Sequence, residues 1–420
     1  MNDLEKITVK KYDDKYVLIN TENPSWISLS EEGYELFLDI DKYGVNNVKN
    51  IEYSKDELKD FYESIIDALF SPVQNEHITD SSLSLTVFLT TACNFKCRHC
   101  FYGCGTNNNT SMLKYDYHFE SFIDEFYENG GKFVTFTGGE PLLNPDLERF
   151  IRYVHDKNIG IALLTNGSLL TDSLCSMLSK YHVILQASLD GNKEDFMRVR
   201  NGGNFEKVIH GLSLLKKYKL KYEISFMPCK LNADSIDDII AIARKYDAIN
   251  IHMPLFEEYG SGKDNKELIG MSMEEYKTFF SSLMDRYYNN EFGDVHISIF
   301  DNIENDLMYA TRKTICKIGS NVMALYSNGN IFPCSEFIED KFIIGNYQDG
   351  YPKMKFNKII SDMRCCTIEK IEKCKRCAFK HYCGGGCRLH SYIKFNSMMK
   401  EDSHCELIYY LYDKVLEHIS

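Results

Sequence analysis

Beyond residue 83 the chain alternates between short apolar runs and longer segments with apolar residues at helical spacing. Six apolar runs are predicted to be β-strands, at residues 83–89, 132–136, 160–164, 182–187, 222–227 and 250–253. Six amphipathic segments are predicted to be helices, at residues 116–129, 145–157, 171–180, 204–218, 234–245 and 273–290. This alternation predicts an α/β fold with a parallel sheet, curved into a partial (β/α)6 barrel of the TIM type. In such barrels the chemistry lies at the carboxyl ends of the strands.

Residues 1–75 have a different pattern, in which three short strands precede two helices. Strands are predicted at residues 7–11, 15–20 and 26–29. Ser30 and Ser54 stand where helix caps are expected, because a serine side chain can accept a hydrogen bond from the free amides of the first turn. This order predicts a small winged-helix-like module. An N-terminal arm used for dimerisation is the alternative.

Changes in composition suggest where the domains end. A chain of 420 residues is longer than one hydrophobic core usually organises. The polar residues 76–82 are predicted to be a linker, and the alternation of strands and helices stops near residue 300. We therefore expect domains at residues 1–75, 83–300 and 301–420.

The charge balance limits the classes of partner. The formal net charge is −13, which disfavours binding to the phosphates of nucleic acids. The chain starts with a charged segment and contains no apolar run long enough for a signal peptide or a membrane span. We expect a cytoplasmic protein that binds neither nucleic acid nor membrane.

Cysteine is the unusual component of the composition. There are 15 cysteines, and seven of them lie beyond position 364. A disulfide framework is not expected in a reducing compartment, and crowded thiolates repel each other unless a cation holds them. Metal binding is therefore the leading explanation.

Three cysteines directly follow the first predicted barrel strand, in the order Cys93-x3-Cys97-x2-Cys100. Three thiolates in so short a loop can hold three irons of a 4Fe–4S cluster and leave the fourth iron open to a small molecule. Zinc is the alternative, although zinc sites usually take four ligands and pair cysteines as CxxC.

This arrangement resembles the radical S-adenosylmethionine superfamily. Its other motifs also end predicted strands, and the resemblance implies S-adenosylmethionine contacts at Gly138, Gly139, Glu140, Asn166, Ser188, Asp190 and Arg200. Arg198 is an alternative to Arg200. The residue before the third cysteine is often aromatic in this family, but it is His99 here, and Tyr102 is a second candidate for the adenine face. The implied reaction is reductive cleavage of S-adenosylmethionine to a 5′-deoxyadenosyl radical, with electrons from a donor such as flavodoxin or ferredoxin.

The cysteines after residue 315 resemble the SPASM extension of radical enzymes, which binds two auxiliary 4Fe–4S clusters. By this resemblance Cys374, Cys377, Cys383 and Cys405 hold the distal cluster, while Cys316, Cys334 and Cys387 hold the proximal one. With the first cluster, three 4Fe–4S clusters are expected. Zinc sites would also satisfy the cysteine count. A hairpin turn at Asn328-Gly329 is predicted to bring Cys316 and Cys334 together.

The proximal set has three cysteines for four irons. Some relatives supply a fourth cysteine where this chain has Val322, which cannot bind iron. One iron is then open, or Cys365 or Cys366 reaches in. Cys175 and Cys229 are expected to be buried core residues.

SPASM enzymes mostly act on peptides or proteins, so the resemblance implies a peptide-modifying enzyme with a precursor peptide as its partner. Residues 1–75 resemble modules that recognise a leader peptide, which can add to a sheet edge as an extra strand. Thioether links from cysteine sulfur to carbon are the expected product. Carbon–carbon crosslinking and sulfatase-maturase-like oxidation are alternatives, although Ser335 stands where sulfatase maturases carry an acid. No catalytic acid or base is identified, and Cys104 and Glu336 are candidates. The alternative of another class is an electron-transfer iron–sulfur protein.

Overall fold

A computed structural model describes residues 3–49, 52–71, 83–105, 110–309, 312, 314, 316, 318, 321–352 and 357–420. The predicted linker at 76–82 lies outside the described residues. No described helix combines the length and the apolar character that crossing a membrane requires.

The N-terminal unit is a three-stranded antiparallel sheet followed by two helices. The strands are β1 (Ile7–Tyr12), β2 (Lys15–Asn20) and β3 (Ser25–Ser30), in that spatial order, and the helices are α1 (Glu31–Tyr43) and α2 (Lys55–Phe70). The predicted caps are confirmed, since Ser30 Oγ accepts from the Gly33 amide and Ser54 forms a capping box with Glu57. These contacts satisfy amides that a helix start leaves without partners.

The predicted α/β fold is confirmed by a ten-stranded sheet, most of it parallel. Its parallel strands are β4 (Leu83–Phe88), β5 (Gly131–Thr137), β6 (Gly160–Thr165), β7 (Ile184–Ser188), β8 (Tyr222–Ser225), β9 (Asn250–His252) and β10 (His296–Ile297). The first six were predicted, and the short strand β10 was not. Neighbours in the chain are neighbours in the sheet, as expected for a partial barrel.

Three further strands extend this sheet beyond its first parallel strand. They are β11 (Val322–Leu325), β12 (Asn330–Phe332) and β13 (Gly345–Asn346). The predicted hairpin is confirmed, because β11 and β12 pair antiparallel around Asn328-Gly329. Strand β11 also pairs in parallel with β4, so the hairpin joins the barrel sheet. The sequence did not predict this connection.

Helices cover the sheet and build most of the C-terminal region. They are α3 (Tyr117–Glu128), α4 (Leu147–Asp156), α5 (Asp172–Lys180), α6 (Lys193–Val199), α7 (Phe205–Lys217), α8 (Ile236–Tyr246), α9 (Ser261–Ile269), α10 (Met273–Tyr288), α11 (Ser298–Tyr309), α12 (Lys358–Arg364), α13 (Glu372–Lys375), α14 (Lys380–Cys383), α15 (Arg388–Phe395) and α16 (Cys405–Ile419). All six predicted helices are confirmed. No helix was predicted at α6, α9 or α11, nor at any of α12 to α16.

The N-terminal unit packs against the C-terminal helices. Trp26 Nε1 donates to the Leu307 carbonyl at 3.0 Å, which ties β3 to α11. Lys10 Nζ lies 2.7 Å from an oxygen of Asp413 and 4.9 Å from the ring centre of Tyr409. The unit is therefore held against the rest of the protein by both polar and aromatic contacts.

Candidate active site and metal centres

The carboxyl ends of the parallel strands enclose a cavity of about 220 Å³, called here the first cavity. Barrel geometry predicts a site at this edge of the sheet. Nine of the residues expected from sequence line it: Cys93, Cys97, Cys100, Tyr102, Gly138, Gly139, Asn166, Ser188 and Arg200. Residues that are far apart in the chain thus share one cavity wall.

The three cysteines are free thiols, and the surroundings of Cys93 and Cys97 disfavour a bare thiolate. Burial raises the pKa of Cys93 to about 11 and the pKa of Cys97 to about 12. A hydrogen bond from the Cys104 side chain lowers the pKa of Cys100 to about 6. Because burial penalises thiolate charge, a metal that holds all three as thiolates has to supply the compensating positive charge. Cys104 lies beside this set in the cavity wall.

The glycine turn after β5 is fastened to the start of the cysteine loop. The Gly139 amide donates to the Thr90 carbonyl at 2.7 Å, and the Glu140 amide donates to the Ala92 carbonyl at 2.9 Å. A Cβ atom on Gly138 or Gly139 would overlap one of these two carbonyl oxygens. Only glycine allows so close an approach, which leaves the turn open toward the cavity.

Glu140 is fully buried behind the cavity lining. Its carboxylate accepts from Thr165 Oγ1 at 2.7 Å and from the Asn166 amide at 2.8 Å. Burial raises the pKa of Glu140 to about 7. Glu140 therefore supports the turn after β6. The sequence predicted that Glu140 contacts the cofactor, but the residue lies behind the cavity wall and does not line the cavity. Asn166 Nδ2 in turn donates to Asn94 Oδ1 at 2.8 Å, a partner that the sequence did not reveal.

Asp190 also lies behind the lining, where it holds Arg200. Arg200 Nε donates to Asp190 Oδ2 at 2.7 Å, and the Met227 amide donates to Asp190 Oδ1 at 2.9 Å. Arg200 Nη1 lies 3.7 Å from Cys97 Sγ. Arg198 instead pairs with Asp195 on the exposed surface. Between the two arginines, Arg200 is thus the one that faces the cavity.

We expect Arg200→Gln to weaken S-adenosylmethionine binding while Arg198→Gln leaves it nearly unchanged. A hydrogen bond to a charged group contributes about 1.5–3 kcal/mol, which corresponds to roughly a ten- to hundred-fold change in Kd. An exposed ion pair contributes at most about 1 kcal/mol. Titration calorimetry of the reconstituted enzyme measures both. Equal losses for the two variants would show that the cavity-facing arginine is misassigned.

His99 and Tyr102 complete the wall on the cysteine side. Burial lowers the pKa of His99 to about 4. Its Nε2 lies 3.4 Å from Asp190 Oδ2, whereas its Nδ1 is buried without a hydrogen-bond partner among the described residues. A buried polar atom without a partner is costly, so this nitrogen fits a cavity that holds a bound group. The open glycine turn fits the same group.

A second cavity, of about 260 Å³, lies in the C-terminal region. Its lining brings together the four cysteines expected to hold the distal cluster: Cys374, Cys377, Cys383 and Cys405. Burial raises the pKa of all four thiols, so thiolates here also need a compensating cation. The donor set fits a four-thiolate centre, and the lining includes Tyr409, which Lys10 of the N-terminal unit contacts.

One hydrogen bond links the proximal set to the lining of the second cavity. Burial raises the pKa of Cys334, and the nearby Cys387 and Cys316 raise it further, so the three thiols lie within electrostatic reach of each other. The Cys387 amide donates to Asp402 Oδ2 at 2.6 Å, and Asp402 lines the second cavity. Cys175 and Cys229 are fully buried core residues, as predicted.

Two groups of residues near the proposed metal centres were missed by sequence reasoning. Gly260 has φ +54°, and a Cβ there would lie 2.5 Å from the Cys100 carbonyl oxygen. The Ser261 amide donates to that same oxygen at 2.9 Å, so the loop after β9 braces the cysteine loop. Its glycine-rich sequence at 260–262 was the available signal. The second group is a side-chain cluster in which His390 Nδ1 lies 3.1 Å and His404 Nε2 lies 2.8 Å from Glu257 Oε1, and no sequence signal marked it.

Comparison with known proteins agrees with this geometry. Residues 87–245 match the family model of the Radical SAM superfamily. The chain is 30% identical over 347 residues to a cysteine-type anaerobic sulfatase-maturating enzyme of Clostridium perfringens, covering 76% of this chain and 90% of the relative. It is 25% identical over 320 residues to the mycofactocin maturase MftC of Mycolicibacterium smegmatis, covering 75% and 80% respectively.

Solved structures share the fold over most of the chain. The structure of anSMEcpe with bound AdoMet has a TM-score of 0.68 at 23% identity and covers 80% of this chain and 98% of that one. Streptococcus suis SuiB bound to its precursor peptide SuiA has a TM-score of 0.62 at 17% identity, with 96% and 99% covered. The family match, the similarity to the Clostridium perfringens enzyme and the cysteine-lined cavity lead to one conclusion: the chain belongs to the radical SAM superfamily, among its SPASM-type members.

Proposed function

We propose that this protein modifies a ribosomally synthesised precursor peptide, and that it installs thioether links between cysteine sulfur and a carbon of an acceptor residue. The observation that carries the radical part of the proposal is the first cavity. There Cys93, Cys97 and Cys100 meet the glycine turn and Arg200 in one wall. In a protein that only transferred electrons, the glycine turn and the buried arginine would have no function.

Each part of the first cavity has a task in this proposal. The three cysteines hold a 4Fe–4S cluster. The guanidinium of Arg200, oriented by Asp190, presents a fork that matches the carboxylate of S-adenosylmethionine. The turn at Gly138 and Gly139 gives room for its amino group. When bound, the cluster and S-adenosylmethionine would supply a carbon radical that removes hydrogen from the substrate. The auxiliary clusters would accept the electron that remains after the bond has formed.

Thioether formation balances as the loss of two hydrogens from the peptide. The acceptor carbon loses a hydrogen atom, the cysteine thiol loses a proton, and one S–C bond forms. One electron leaves the product, which explains the use of further redox centres near the cavity. In this proposal the four cysteines of the second cavity and the proximal cysteines hold the clusters that accept this electron.

A peptide substrate is favoured by the relatives and by the N-terminal unit. The match to SuiB covers 96% of the 420 residues, so it has to include most of residues 1–75. In this unit β1 and β3 are the edge strands, and β1 carries Lys10, which contacts the C-terminal helix. Trp26 of β3 also donates to the C-terminal region, so the proposal is that a leader peptide adds to the sheet at one of these two edge strands.

Mass spectrometry combined with thiol labelling tests the proposed reaction. The reconstituted enzyme is incubated with S-adenosylmethionine, dithionite and cysteine-containing peptides encoded beside its gene. We expect a product that has lost two hydrogens per link and no longer reacts with iodoacetamide at the linked cysteine. The same mass loss with the thiol still reactive would indicate a carbon–carbon link. Conversion of the cysteine to an aldehyde would indicate sulfatase-maturase-like oxidation, the alternative that the 30% identity supports.

A further inference from the structure

Side chains in the wall of the second cavity contact the N-terminal unit. Phe379 and Tyr409 line this cavity together with the four cysteines proposed to hold the distal cluster. Lys10 Nζ, on β1, lies 5.3 Å from the ring centre of Phe379 and 4.9 Å from that of Tyr409. A cation of the N-terminal unit therefore stands directly against two side chains of the cavity wall.

A second contact joins the N-terminal unit to the same wall. Lys380 also lines the second cavity, and its Nζ lies 3.2 Å from Oε1 of Glu22, in the turn between β2 and β3. Strand β1 and this turn thus both reach the wall. The unit is held there at two points, which fixes the position of Lys10 beside the cavity.

Lys10 carries its charge where water screens it little. Its side chain is 14% exposed, and its Nζ lies 2.7 Å from Oδ1 of Asp413 on α16. Burial lowers the pKa of Lys10, but hydrogen bonds to Asp413 and Tyr409 outweigh this effect and hold the pKa above its usual value. The ammonium group is therefore charged at neutral pH, and its field is screened less than that of an exposed lysine.

The charge of Lys10 bears on the redox chemistry of the distal cluster. Reduction adds a negative charge to an iron–sulfur cluster, and a nearby cation stabilises the reduced form. Asp413 acts in the opposite direction, so the loss of either partner leaves the charge of the other unopposed beside the cavity. A neutral residue in place of Lys10 should therefore make the distal cluster harder to reduce, and a neutral residue in place of Asp413 should make it easier to reduce.

We propose that Lys10 raises the reduction potential of the distal cluster and thereby links the docking of the N-terminal unit to the redox state of that cluster. Linkage is reciprocal: if the docked unit favours the reduced cluster, the reduced cluster favours the docked unit by the same free energy. The unit that is proposed to bind the leader peptide thus also adjusts a centre that is proposed to accept an electron. The inference rests on the proposed function only in requiring an iron–sulfur cluster in the second cavity.

Redox titration followed by electron paramagnetic resonance tests this proposal. The parent is the full chain with the three cysteines of the first cavity changed to Ala, so that only the two auxiliary clusters contribute to the signal. It should contain about eight irons per chain. Into this parent we introduce Lys10→Met, Lys10→Arg and Asp413→Asn.

Lys11→Met is the matched control. Lys11 is the next residue of β1, and its Nζ likewise lies near a carboxylate, 2.8 Å from Glu31 Oε1, and over an aromatic ring, 4.8 Å from the centre of Tyr16. Its side chain is half exposed and lines neither cavity. The control therefore removes the same charge from the same strand at a position away from the distal cysteines.

We expect Lys10→Met to shift the midpoint potential of one cluster to more negative values and Asp413→Asn to shift it to more positive values. Lys10→Arg keeps the charge and should stay close to the parent, and Lys11→Met should match the parent. The iron content should be the same in all four variants as in the parent.

Three results would overturn the inference and leave the two auxiliary clusters of the proposed function intact. An unchanged potential in Lys10→Met would show that the charge has no effect. Equal shifts in Lys10→Met and Lys10→Arg would assign the effect to packing, and equal shifts of both clusters would assign it to the net charge of the chain. A parent with only about four irons would overturn the inference at its premise, the presence of two auxiliary clusters.

Discussion

Replacing Cys93, Cys97 and Cys100 together by Ala is expected to reduce 5′-deoxyadenosine formation to background. The three thiols are the cluster ligands proposed for the first cavity, and alanine has no ligand atom to replace them. The variant should also lose about four irons per chain and keep those of the auxiliary clusters. Liquid chromatography of quenched reactions and iron analysis of the same sample measure both effects.

Cys175→Ala is the matched control for this triple change. Cys175 is equally a free cysteine, but it is fully buried in α5 and lines neither cavity. Its removal should cost some stability through the small cavity that it leaves, while cleavage continues at the parental rate. If the triple variant still cleaves S-adenosylmethionine, these cysteines are not the cluster ligands.

Replacing Gly260 by Ala is expected to have the second largest effect, although Gly260 lies far along the chain from the cysteine loop. Its φ of 54° and ψ of −133° fall in a region that only glycine adopts readily. The added Cβ would also meet the backbone carbonyls of Phe101 and Cys100. Because backbone cannot swing aside as a side chain can, the cysteine loop has to move. We expect cleavage to fall about ten-fold or more, with a parallel loss of cluster iron.

Gly130→Ala separates loop displacement from simple backbone strain. Gly130 also has a positive φ, of 92°, but a Cβ there would meet nothing within 4 Å. It precedes β5 at the end of that strand remote from the first cavity. The control should therefore lose about 1–2 kcal/mol of stability and no cleavage activity. Equal activity losses in the two variants would contradict the bracing role of Gly260.

The barrel could be predicted because its elements are local. Each predicted helix and strand carries its own apolar spacing, and the observed bounds of helices such as α3 and α7 fall within a residue of the expected ones. Helices α6 and α9 were missed because they are short and lie in loops that read as polar. The pairing of β11 with β4 was missed because it joins segments that lie far apart in the chain, on either side of the whole barrel.

In the site, too, features that depend on neighbouring residues in the chain could be predicted, whereas contacts between distant residues could not. The motif residues were found because the cysteine spacing after the first strand is visible in the sequence, and the family resemblance that it carries implies the other contacts. The tasks of Glu140 and Asp190 were not visible, since each depends on partners that the fold brings near, such as Asn166 and Arg200. Glu336 was noticed only as a candidate acid or base, and its contact with Cys387 joins residues 51 positions apart.

Reductive cleavage of S-adenosylmethionine is the measurement that tests the central claim most directly. The unaltered protein is reconstituted with iron and sulfide under anaerobic conditions and given dithionite and S-adenosylmethionine. We predict 5′-deoxyadenosine and methionine in equal amounts, because the first cavity is proposed to hold S-adenosylmethionine beside a cluster that has one iron without a protein ligand. S-adenosylmethionine that stays intact, in a sample whose iron content shows all clusters assembled, would contradict the account.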